Sequence, residues 1–168
     1  MTKRLWIAMV ILAASARLLP HPWNFTPMIA LGLFAGVQAS KAWTSVAAVL
    51  ASLVLGDAIL GFDASFWYVY AAALIPVLLG RAIRERAGMG SIALAALGSS
   101  LSFFVITNFM VWLVDGIYPR TLAGLAACFV AAIPFYGNQA LGDAFFTVGL
   151  FGGYAMLKRL LQPAQRPA

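Results

Sequence analysis

Thr121-Leu-Ala-Gly-Leu-Ala-Ala-Cys-Phe-Val-Ala-Ala-Ile-Pro-Phe135 is the stretch whose reading decides how often this chain crosses a membrane. It is apolar throughout, yet shorter than the roughly 20 residues that a helix needs to cover the hydrocarbon. Whether it spans sets the side on which everything after it lies.

Working outward, the other apolar runs are 5–19, 25–39, 42–60, 65–83, 91–114 and 141–161. Short cytoplasmic loops are enriched in Lys and Arg, which gives a test of their direction. With Lys3 and Arg4 inside, Lys41 and the Arg81, Arg84, Arg86 cluster fall in inner loops, and Asp63 falls in an outer one. Residues 115–120 are then outside, and the basic Lys158, Arg159 and Arg166 return inside only if a single further crossing follows. The run 121–135 is therefore expected to be a short re-entrant or outer-leaflet helix. The expected fold is an all-α integral membrane protein with six transmembrane helices in a compact bundle plus that short helix, both termini being cytoplasmic. Residues 1–161 form one transmembrane domain and 162–168 a short polar tail, in a multi-pass membrane protein. Arg17 then stands on the wrong side of the charge rule, which asks for a partner.

Composition agrees with this solvent. The chain is 63% hydrophobic and 10% charged, with a mean hydropathy of +0.93, more than a soluble domain of this size can hide. The first run follows Lys3 and Arg4 as in a signal peptide, but Arg17, Pro20, His21 and Pro22 stand where a small-residue cleavage site belongs, so it reads as a retained helix. The net charge of +6 comes from basic residues at the ends of apolar runs, which argues against nucleic acid as a partner. A lone Cys128 excludes an internal disulfide, and one Cys with one His makes a zinc site unexpected. There is no Walker A motif, dinucleotide fingerprint, HExxH or Gly-x-Ser-x-Gly elbow, so no cofactor is implied and the chain does not read as an enzyme. Gly32 with Gly36, Gly149 with Gly153, and Ser91 with Ala95 and Ser99 are small residues four apart, the spacing at which membrane helices pack closely.

In such a chain each strong polar group needs a reason. Arg17, His21 and Asn24 fall at the outer end of the first hairpin, and Asp57 at the outer end of the third run. Asn108 and Trp112 lie in the outer half of the fifth, and Asn138 and Asp143 precede or open the last. These residues predict an outward-facing ligand site, flanked by Phe62, Trp67, Tyr118 and Tyr136. Plainer roles stand beside that one. Asp57 and Asp143 can serve to neutralise Arg17, His21 can be an interfacial loop residue, Asn108 can bridge helices, and the aromatics can form the headgroup belt.

The motifs Arg17-x-Leu-Pro-His-Pro-x-Asn24-Phe-x-Pro27, Gly56-Asp57 with Gly61, Thr107-Asn108-Phe-x-x-Trp112, Pro134-Phe-x-x-Asn138 and Gly142-Asp143 resemble an uncharacterised family of small bacterial membrane proteins. That family is in turn similar to the S components of energy-coupling factor (ECF) vitamin transporters. The resemblance implies a six-helix protein that binds a vitamin-like small molecule near its outer face, under the loops joining helices one to two, three to four and five to six. It implies that Asp57, Asn108, Asn138 and Asp143 hydrogen-bond the ligand, that Arg17 balances the carboxylates or meets an anionic group, and that Trp112 closes the site. It also implies that an ECF T subunit with ATPases supplies the energy. Helix one lacks the Ala-x-x-x-Ala pattern by which many S components dock, which keeps a different membrane complex open as partner. The alternative reading is a structural or accessory subunit of a larger complex, surrounded by lipid.

Overall fold

A computed structural model describes residues 3–161, which are helical nearly throughout. The helices are α1 (Lys3–Leu18), α2 (Met28–Gln38), α3 (Ala42–Leu60), α4 (Phe66–Ala73), α5 (Ile75–Ile83), α6 (Met89–Val114) and α7 (Leu122–Leu161), with a 3-10 turn at Arg84–Arg86. Four stretches are long and apolar enough to cross a membrane: Ala42–Leu60, Phe66–Arg86, Met89–Val114 and Leu122–Leu160. The chain is a multi-pass membrane protein.

The segment 65–83 is not one regular helix. It breaks at Leu74 between α4 and α5, because Pro76 has no N–H to give and its ring crowds the carbonyl four residues back. The two halves continue in one direction past the turn.

A larger departure concerns the opening stretch. No separate helix covers 121–135: α7 runs unbroken for 40 residues with Pro134 inside it. Proline bends a membrane helix without ending it where neighbouring helices support the chain, and α7 leans on α6 on both sides of Pro134. At about 1.5 Å per residue, α7 is about 60 Å long, twice the thickness of the hydrocarbon. Its C-terminal turns, with Lys158 and Arg159, extend beyond the helices it packs on.

α2 is the centre of the bundle. It has 11 residues, ten of them buried, too few to span alone but sheltered by α1, α3, α5 and α7. It runs beside α5 at very close range, since a Cβ on Gly36 would strike the Val77 carbonyl and one on Gly80 would strike the Leu33 carbonyl. Gly36 thus packs as half of an interhelical pair with Gly80, while Gly32 admits the Pro76 ring. Gly149 and Gly153 of α7 meet nothing within 4 Å. Met28, Val49, Leu53, Ala73 and Val77 fill the space between α2, α3 and the α4–α5 junction, and Phe34 stacks edge-on against Phe151 and Tyr154 of α7.

Contacts fix the direction of each segment. Arg17 at the end of α1 meets Leu53 and Asp57 near the end of α3, whereas Ala35 near the end of α2 meets Ser45 at the start of α3. Tyr68 of α4 reaches Asp115 just after α6, and α7 descends along α6 from the Cys128–Asn108 contact to the Gln139–Ser100 contact. Successive segments alternate up and down. One end of the bundle therefore gathers Lys41, Arg81, Arg84 and Arg86, and Arg84 ties the two loops there by donating to the Ser40 carbonyl at 3.3 Å. Arg17, Asp57, Asp63, Asp115 and Arg120 lie toward the other end.

Candidate functional site

Along α7, Gln139, Asp143 and Thr147 recur every fourth residue, so their side chains lie in one row on one helix face. That face is turned inward: Gln139 and Asp143 are 4% exposed and Thr147 is 6%. Ser100, near the middle of α6 and 2% exposed, packs against the row. The Gln139 amide donates to the Ser100 carbonyl at 2.9 Å and to its Oγ at 3.1 Å. The Ser100 and Gln139 side chains both lie beside the Asp143 carboxyl. Gly142, next to Asp143, has no side chain to keep Phe25 away, so the Phe25 ring settles on α7 between Phe145 and Phe146. The loop before α2 is thereby packed onto α7 beside the polar row.

The row is incompletely satisfied. Asp143 Oδ2 and Thr147 Oγ1 are enclosed and have no hydrogen-bond partner among the described residues, and the same holds for Ser99 Oγ on α6. Burying a hydroxyl or carboxyl without a partner costs about 1–3 kcal/mol by protein measurements, and more if the group is charged. Two such atoms lie one helical turn apart here; at the end of α5, Arg81 Nη1 is likewise enclosed without a partner among the described residues.

The polar residues singled out in the sequence fall into several neighbourhoods. Arg17 and Asp57 form an ion pair at 2.5 Å between α1 and α3. The Arg17 guanidinium also donates to the Leu53 carbonyl at 3.1 Å, and the Tyr70 hydroxyl donates to the second Asp57 oxygen at 2.6 Å. Gly56 explains the Gly-Asp motif, because a Cβ there would occupy the space of the Arg17 guanidinium. Asn108 donates to the Phe104 carbonyl at 2.7 Å on its own helix, and its backbone carbonyl accepts the Cys128 thiol at 3.4 Å. Trp112 donates to the Pro119 carbonyl at 3.0 Å and so pins the loop between α6 and α7. His21 Nδ1 lies 2.8 Å from the Pro22 carbonyl, which can only accept, so that nitrogen carries a proton. Asn24 has φ 64°, a left-handed turn that asparagine tolerates, and is exposed. Asn138 is half-buried on α7, and its side chain makes no hydrogen bond among the described residues. Arg17 pairs with Asp57, and Asp143 has no salt-bridge partner among the described residues.

A model of the family of unknown function DUF6580 matches residues 2–165. The chain belongs to that family. No curated protein and no solved structure matches it. In this DUF6580 member the Gln139, Thr147, Ser100 and Tyr70 contributions were not evident from the residues alone. The four-residue recurrence of polar side chains from Gln139 to Thr147 is the available signal, obscured because Gln139 falls between the apolar runs 121–135 and 141–161. The DUF6580 chain also has an apolar hollow of about 120 Å³ between α1, α2 and α7, lined by Met9, Ala13, Leu31, Phe146 and Leu150 among others. Its lining contains none of Arg17, His21, Asn24, Asp57, Asn108, Trp112, Asn138 and Asp143.

Proposed function

We propose that this protein binds a small metabolite within the membrane, in the manner of an ECF S component, and that the α6–α7 polar row makes the decisive contacts. The observation carrying this reading is the set Ser100, Gln139, Asp143 and Thr147, buried inside an apolar bundle with two polar atoms left over. Intramembrane polar groups that the fold does not use for itself are the ones available to a solute. In this reading Arg17 and Asp57 neutralise each other and hold α1 on α3, and Asn108, Trp112, His21, Asn24 and Asn138 shape the outer half through which the solute enters.

The native mass spectrum of gently purified protein is expected to show a retained small molecule, and Asp143→Ala is expected to lose it while still purifying as a folded protein. Spectra without any such molecule, together with recovery in fixed stoichiometry with a larger membrane complex, would replace this reading with that of an accessory subunit. An ECF T subunit with its ATPases is the partner expected in the same pulldown.

The topology proposed with this function has six crossings, both termini cytoplasmic, in the bacterial inner membrane. Single cysteines replacing Asp63 and Glu85 in a Cys128→Ala background are expected to label from opposite sides, Glu85 from the cytoplasm. In the parent protein the Ser65 side chain and backbone N–H hold the exposed Asp63 carboxylate below its usual range. Labelling of both positions from one side would overturn the assignment.

A further inference from the structure

We propose that the Asp143 row is a site for one monovalent metal cation, sodium, held midway along the contact of α6 with α7. The charge argument comes first. Arg17 is taken by Asp57, and Asp143 has no cationic partner among the described residues. An enclosed carboxylate in hydrocarbon is costly until it is neutralised, either by a proton or by a cation.

The oxygen atoms favour the cation. A proton on Asp143 answers one oxygen, but Asp143 Oδ2 and Thr147 Oγ1 are both without a partner. Residues four apart on a helix have Cβ atoms about 5–6 Å from each other, close enough for both oxygens to meet a common third body. They do not bond one another. The Ser100 side chain stands against the same carboxyl from α6. Carboxylate and other oxygen atoms are the donors that hard metal cations take.

Charge number selects the ion. One carboxylate cancels one positive charge, whereas a divalent ion would leave an excess charge in a low-dielectric interior. No group of three or more His, Cys, Asp or Glu side chains suited to such an ion exists among the described residues. Enclosure of the two oxygens, on residues 4% and 6% exposed, favours a small bare ion over an organic cation.

The site goes beyond the metabolite-binding reading, and its test uses no metabolite. Purified full-length protein is melted in NaCl, KCl and choline chloride at matched ionic strength. The expected result is a melting temperature several degrees higher in NaCl, a gain reduced in Thr147→Val and abolished in Asp143→Asn. Asp143→Asn is expected to melt above the parent in choline chloride, since its amide needs no counter-ion. As a second measurement, dicyclohexylcarbodiimide, which reacts with protonated carboxyls in apolar surroundings, is expected to modify Asp143 more slowly in NaCl than in choline chloride. Equal melting in the three salts, an equal gain in KCl, a sodium gain retained by Asp143→Asn, or modification that sodium does not slow would each overturn the proposal. Because Asp143 also stands in the metabolite-binding reading, metabolite retention is scored separately, by the native mass spectrum in NaCl and in choline chloride: a metabolite retained without any sodium response in melting overturns the ion site alone.

Discussion

Arg17→Ala is expected to destabilise the protein by about 3 kcal/mol or more, the scale on which removing one partner strands a buried charge. The pair is well shielded, with side-chain exposures of 18% for Arg17 and 13% for Asp57. Losing the guanidinium leaves Asp57 with the Tyr70 hydroxyl alone and frees the Leu53 carbonyl of its extra donor. It also removes the contact that Gly56 makes room for, so α1 loses its fastening to α3. The double variant Arg17→Met with Asp57→Leu is expected to recover most of the loss, because no charge is then left unpaired. Thermal melting in detergent, read as a double-mutant cycle, decides this. If Arg17→Ala melts with the parent, the pair contributes nothing measurable and Arg17 must be retained for another reason.

Gly36→Leu is the second large effect. Overpacking usually costs about 1–3 kcal/mol, and this site is expected to reach or exceed the upper end. The obstructing atoms are the Val77 carbonyl and the Gly80 backbone, which cannot rotate aside as a flexible side chain could. Relief requires α5 to move away from α2, opening the cluster of Met28, Val49, Leu53, Ala73 and Val77. Gly80→Leu is expected to behave alike. Gly149→Leu and Gly153→Leu serve as controls and are expected to be neutral, because open space surrounds both positions. Equal melting of Gly36→Leu and Gly149→Leu would mean that the close approach of α2 and α5 is not a source of stability.

This contrast shows what small-residue spacing conveys. Gly32 with Gly36 and Gly149 with Gly153 are the same pattern in a sequence, yet one pair lies against α5 and the other faces open space. The spacing says that a backbone is able to approach, and the partner that does so is set by the bundle. Gly80 carried no such pattern and is the residue that completes the crossing.

Polar residues divide in a similar way. Asp57 could be matched with Arg17 from the charges alone, since a lone cation among apolar runs needs an anion. Asp143 was an equal candidate for that role, and only the arrangement of α1 against α3 assigns Arg17 to Asp57. Gln139 lies between the apolar runs 121–135 and 141–161 and so reads as a connection set apart from Thr147, whereas both lie on a helix continuous through Pro134. A break there would have put Gln139 in a loop and dissolved the row.

What the sequence determined by itself is the solvent and the direction of the chain. Apolar runs of bilayer length and basic residues at alternate loops are local properties, written in consecutive residues, and they fix a helical multi-pass protein with the Lys41 and Arg81–Arg86 loops at one end. The tertiary structure decided which polar groups are satisfied and which are not. That depends on pairs far apart in the chain, Arg17 with Asp57 and Ser100 with Gln139, brought together by helix packing that no local pattern encodes. Asp143 stands out for the same reason: every helix around it is packed, and the packing supplies hydrogen-bonding neighbours but no counter-charge among the described residues.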